Sequence, residues 1–193
     1  MAQFTALSPD VEVNGQTVLS IVAGMDTFRE IALEILESKG ISSPKENDWF
    51  LQQSWLDAFR EIADNVGEYT LMEIGRQIPE NADWPPQVNS IETALSSIDI
   101  AYHMNHRIKG RLMFDPQNGS MLEGIGHYAY KHDSERRITM ICDNPYPSDF
   151  DKGIIESAAN KFKTKGDRIR VTADTDSPSR KKGADSCTYI ITW

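Results

Sequence analysis

The feature that most constrains this chain is a change of hydrophobic period near its middle. Up to about residue 110 the apolar residues recur every three or four positions; beyond it they recur every second position. The first spacing buries one face of a helix and the second buries one face of a strand. Because the two kinds of segment are segregated rather than alternating, the pattern predicts an α+β fold with an antiparallel sheet, not a parallel βαβ array. The expected architecture is an N-terminal hairpin and a helical half packed on a C-terminal antiparallel sheet with one intervening helix.

Asn14-Gly15 sits between two short apolar-alternating runs and predicts the tight turn of that hairpin. Phe28, Ile31, Ala32, Ile35 and Leu36 mark one face of a first helix, closed by Gly40. Leu51, Trp55, Ala58, Phe59, Ile62 and Val66 mark a second. Leu71, Ile74 and Ile78 mark a third that ends before Pro79. A helical glycine such as Gly75 costs about 1 kcal/mol relative to alanine, so a close backbone approach is expected there. Val88, Ile91, Leu95, Ile98 and Tyr102 predict a fourth and longest helix that carries on into His103, His106 and Arg107. Two alternating runs then predict a hairpin around Asp133-Ser134-Glu135. A helix follows with Ile154, Ile155, Ala158 and Phe162 inward, started by a capping box of Ser148 and Asp151. Strands with Ile169, Val171 and Ala173, then Cys187, Tyr189 and Ile191, on their inward faces complete the chain.

At 193 residues the chain is read as a single domain, residues 1–193, able to bury a core without staples. A formal net charge of -9 repels phosphate backbones and anionic lipid, so neither nucleic acid nor a membrane surface is an expected partner. No apolar run is long enough to span a membrane and the first residues do not read as a secretory signal. Two cysteines, Cys142 and Cys187, make no disulfide framework, and the expected setting is cytoplasmic with both thiols reduced. The large apolar residues of the helical half, among them Trp49, Phe50, Trp55 and Trp84, predict a homodimer built on an exposed patch there.

Three local patterns resemble the 4-vinyl reductase domain, whose superfamily also holds the haem nitric-oxide-binding domains and the TRAPP vesicle-tethering subunits. The ending SRKKGADSCTYIITW is similar to that family's closing signature of cysteine, glycine and cysteine at four-residue steps. Gly183 and Cys187 match it, while Ser179 stands in place of the first cysteine. The turn CDNPYPSDFDKG and the opening hairpin followed by an amphipathic helix are the other two. The resemblance implies a small-molecule-binding sensor or regulatory module, coupled to a signalling partner or a dimer, rather than a complete enzyme. A TRAPP-like interaction scaffold is the alternative, and a haem- or metal-dependent protein a third. The haem-binding branch is recognised by a tyrosine-serine-arginine triplet that this chain lacks.

The densest polar cluster is DIAYHMNHR. On a continuous helix Asp99 and His103 are neighbours and His106 lies one turn further, near the apolar stripe that ends in Tyr102. Polar groups on a half-buried stripe are costly unless paired. One reading makes them a ligand pocket, with Asp99 fixing the tautomer of His103, and with Tyr128 and Cys142 of the hairpin completing the set. The other makes them a hydrogen-bonded helix end, with His106 and Arg107 complementing its dipole. The cofactor is left open, with haem and zinc the minor candidates. His103 and His106 share a spacing that suits a metal, but no pair among Cys142, Cys187, His127 and His132 has a zinc-finger spacing. Asp149 and Asp151 are expected to cap their own helix, and Arg180–Lys182 to form a solvated turn. No GxSxG elbow is present to support nucleophilic catalysis.

Overall fold

The computed structural model describes residues 3–193. Its element order is β1 (Val11–Asn14), α1 (Gly15–Val18), α2 (Ser20–Gly24), α3 (Arg29–Ser38), β2 (Trp49–Leu51), α4 (Gln52–Asn65), α5 (Glu68–Glu80), α6 (Ile91–Ser96), α7 (Ile98–Met104), β3 (His106–Ile108), β4 (Arg111–Leu112), β5 (Phe114–Asp115), β6 (Ser120–Met121), β7 (His127–Ser134), β8 (Arg137–Asp143), α8 (Ser148–Lys161), β9 (Arg170–Ala173) and β10 (Cys187–Thr192). The fold class is α+β, as the period change predicts. The C-terminal sheet runs β7-β8-β10-β9 and a small N-terminal sheet runs β2-β1-β3-β4, every pairing antiparallel. Among the described residues no helix is long and apolar enough to cross a membrane.

The N-terminal turn differs from its prediction. Asn14 does not turn a hairpin; its side chain accepts the Thr17 N–H at 2.9 Å and caps α1. Strand β1 pairs instead with two distant segments, Glu12 opposite Leu51 and Val13 opposite His106. On α3 the inward face is Ala32, Ile35 and Leu36, while Phe28 and Ile31 are exposed. Helix α4 buries Trp55, Ala58, Phe59 and Ile62 as its spacing predicts, and the ends of that stripe, Leu51 and Val66, stay in solvent. Helix α5 continues through Pro79 to Glu80.

The predicted fourth helix is two. Ser90 caps α6 through the Thr93 N–H, Thr93 returns the bond, and the axis breaks at Ser97 before α7. The phase survives the break, so Ile91, Leu95, Ile98 and Tyr102 all face inward. His106 falls beyond the helix on the first residue of β3.

Helices α5 and α8 cross at two glycines. A Cβ on Gly75 would lie 2.2 Å from the Phe150 carbonyl oxygen, and one on Gly153 would lie 2.2 Å from that of Met72. The close approach expected at Gly75 is therefore present, with Gly153 as its counterpart. The capping box predicted for α8 does not form. Ser148 Oγ lies 2.9 Å from Cys187 Sγ, and Asp151 turns inward.

Of the tryptophans expected on an exposed patch, Trp55 is fully buried. Trp84 donates to the Pro79 carbonyl at 2.9 Å and meets Phe162 edge-on, and Trp49 lies under the Arg107 guanidinium. Phe50 packs on the core. That argument for a dimer surface is thus spent inside the fold.

Candidate functional site

A cavity of about 460 Å³ opens between α7, the end of α5 and the segment joining β8 to α8. Its inner wall is an aromatic cluster. Trp55 and Phe59 from α4 pack on Tyr146 and Phe150, and Tyr102 sits edge-on to Tyr128 and Tyr146. These rings come from α4, α7, β7, α8 and the segment that enters α8, all far apart in sequence.

Tyr102, His106 and Tyr128 of the sequence candidates border this cavity; Asp99, His103 and Cys142 do not. Cys142 lies in the middle of the sheet, opposite Tyr128 on one side and Cys187 on the other, and both thiols are free. Sequence reasoning missed Trp55, Tyr146, Phe150 and Ser20 as cavity residues; the helical spacing marks only Trp55, and marks it as core. Nothing in a single chain distinguishes a ring that fills a core from one that faces a void.

His106 is held through both nitrogens. Nδ1 donates to the Tyr102 carbonyl at 2.7 Å, and since a carbonyl only accepts, Nδ1 carries the proton. Nε2 then accepts from the Tyr146 hydroxyl, which itself accepts from Gln52 at 2.9 Å. Burial lowers the pKa of His106 from 6.5 to about 4, so it is neutral at physiological pH. The folded state therefore binds a second proton, on Nε2, more weakly than the unfolded chain does. The associated stability is present above pH 6.5 and is lost as pH falls through about 4, by roughly 3 kcal/mol in total. Urea titrations at pH 7.0 and 4.0 are expected to show that loss in the wild type relative to His106→Gln. Equal pH dependence in the two proteins would assign the titration to a group other than His106.

Beside the cavity, Arg180 closes the far side of the Tyr146 segment. Its guanidinium is fully buried and donates to the carbonyls of Cys142, Asn144 and Tyr146 and to the carboxylate of Asp151. Asp151 also accepts from the Tyr128 hydroxyl at 2.6 Å. Desolvation works to discharge Arg180, but the neighbouring carboxylate outweighs it and keeps the guanidinium charged. The expectation of a solvated turn at Arg180–Lys182 is thus corrected at its first residue. So is self-capping by Asp149 and Asp151, since Asp149 pairs with Lys181 at 2.6 Å and Asp151 with Arg180.

No family model matches this sequence, and no curated protein does. Solved structures do match in shape. A T. tengcongensis H-NOX mutant superposes with a TM-score of 0.64 at 18% identity, covering 93% of this chain and 96% of that one. An oxygen-binding H-NOX domain related to soluble guanylate cyclases, in its oxygen complex, gives 0.61 at 18% over 92% and 91%. An H-NOX mutant from K. algicida, Fe(II) and unliganded, gives 0.61 at 11% over 93% and 95%. At such identities the likeness is one of fold, and the chain has the fold of the H-NOX, or haem nitric-oxide-binding, domains.

Proposed function

We propose that this chain, as one unit, is a small-molecule-binding sensor or regulatory module whose ligand occupies the cavity beside α7. The observation that carries the reading is a pair of orphaned polar atoms. Trp55 Nε1 and Ser20 Oγ are buried, belong to residues that line the cavity, and have no hydrogen-bond partner within the protein. A buried polar group left unpaired costs about 1–3 kcal/mol, and a ligand that accepts from the indole N–H recovers that cost. The other walls are largely aromatic and aliphatic, and among the described lining residues Asp83 is the one charged side chain, His106 being neutral. The ligand class is therefore an uncharged, mostly apolar organic molecule carrying at least one acceptor oxygen or nitrogen.

Haem, which the fold's relatives suggest, does not fit these residues. The Nε2 of His106 that would meet iron is taken by the Tyr146 hydroxyl, and no described arginine or lysine lines the cavity to receive two propionates. The missing tyrosine-serine-arginine triplet agrees with this. The narrower likeness to 4-vinyl reductase domains rests on Gly183, Cys187 and the turn at 142–153. It supports the same kind of module, since small-molecule binding is what such domains share. Coupling to a second copy or to a signalling protein would use the start of α3, where Ile31 and the preceding Phe28 are exposed.

Native mass spectrometry of protein purified without detergent tests the proposal directly. A discrete mass increment is expected, lost on denaturation, and the released compound should raise the melting temperature when added back. His106→Gln and Ser20→Ala should reduce that rise while leaving the apo fold intact. A Soret band in freshly purified protein would replace this reading with haem. A bare mass with no stabilisation by apolar ligands would favour the scaffold.

A further inference from the structure

Away from the cavity, a second group of side chains gathers where α7 meets β7. Asp99 and His103 are one turn apart on α7 and His127 opens β7. A carboxylate oxygen of the first and one ring nitrogen of each histidine lie within 4.8 Å of one another. Around a tetrahedral ion with bonds of about 2.0–2.1 Å, ligand atoms stand about 3.3 Å apart, so small side-chain rotations close the set. The carboxylate of Asp99 is oriented from behind, since its Oδ1 accepts the Tyr128 N–H at 2.8 Å. Glu123 meets His127 Nε2 at 2.8 Å from the exposed side.

The chemistry of His103 points to a missing partner. It is fully buried, and its Nδ1 bonds to the Asp99 carbonyl at 2.8 Å. That bond places the proton on Nδ1 and leaves Nε2 a buried lone pair with no partner in the protein. A histidine whose Nδ1–H is fixed by a backbone carbonyl is in the tautomer that ligates metal through the other nitrogen. The rings of His103 and His127 are 5.0 Å apart, and Asp99 Oδ2 reaches His127 Nδ1 at 3.1 Å.

We propose that Asp99, His103 and His127 form a binding site for a divalent transition cation of the zinc class, with Glu123 holding the outer N–H of His127 rather than meeting the ion. Two imidazoles and one carboxylate are a donor set that suits zinc and its neighbours and is too nitrogen-rich for calcium or magnesium. The cation joins α7, which carries Tyr102 into the cavity wall, to β7, which carries Tyr128, so its role is to pin that wall.

The test is titration of untagged, chelator-treated full-length protein with Zn²⁺ and, for its spectrum, Co²⁺. One equivalent is expected to bind, with cobalt d–d bands and no thiolate charge-transfer band. His127→Gln, at a half-buried position, is expected to weaken binding by at least about 100-fold, and Glu123→Gln by less. Both should leave the metal-free melting temperature near that of the wild type, which separates a ligand role from a folding role. Binding below one equivalent, a thiolate band that moves the ion to Cys142 or Cys187, or unchanged affinity in His127→Gln would each overturn the proposal. The cavity ligand is read out separately by native mass, so failure of one site does not count against the other.

Discussion

Arg180→Met is expected to lower the free energy of unfolding by about 3–5 kcal/mol. The side chain is enclosed completely and supplies the positive charge that compensates Asp151, which is equally buried. Methionine fills most of the volume, so lost packing is a minor part of the cost. The major part is a carboxylate left without its counter-charge, together with the carbonyls of Cys142, Asn144 and Tyr146 left without a donor. The segment 142–146 carries Tyr146 to His106, so the cavity wall should loosen along with the fold. Urea unfolding with an unchanged m-value measures the loss cleanly. The double variant Arg180→Met with Asp151→Leu should recover much of it, because an apolar pair of similar volume needs no compensation. A single-variant loss below about 1 kcal/mol, the range of an exposed ion pair, would place Arg180 in solvent.

The second large effect is at the α5–α8 crossing. Gly153→Val and Gly75→Val are each expected to cost at least about 3 kcal/mol, the upper part of the range for overpacking. The new atoms meet backbone carbonyls rather than flexible side-chain ends, at 2.2 Å in both cases. Neither helix can yield locally without breaking its own hydrogen bonds, so the two must separate along their length. Once separated they accommodate the second substitution more cheaply. The double variant should therefore lose clearly less than the sum of the singles, a coupling that a thermodynamic cycle reads directly. Additive losses would mean that the two glycines serve different contacts.

The functional reading was only partly legible in the residues. Tyr102 and His106 follow from the inward stripe of the fourth helical segment, and both border the cavity. Asp99 and His103 were grouped with them on the premise of one continuous helix. The end of α7 at Met104 turns His106 toward Tyr146, while His103 faces Asp99 and His127. The partner that matters to His103 is 24 residues away, and no spacing rule reaches it.

What the sequence by itself determined is everything governed by local periodicity. The shift from period 3.6 to period 2 set the α+β class. The inward residues of α4, α6–α7 and β10 were readable because burying one face is a condition each segment meets alone. What the tertiary structure decided are the contests between a local preference and a distant partner. Asn14-Gly15 is a good hairpin turn, yet capping α1 and pairing β1 with β2 and β3 satisfies more backbone groups than a two-stranded hairpin would. Arg180, in a run of three basic residues, belongs in water by every local measure. It is buried because Asp151 and the carbonyls of the 142–146 segment, 29 to 38 residues earlier, together replace its hydration. Local sequence fixes which face of an element is apolar; which charges may leave water depends on partners that only the folded chain brings together.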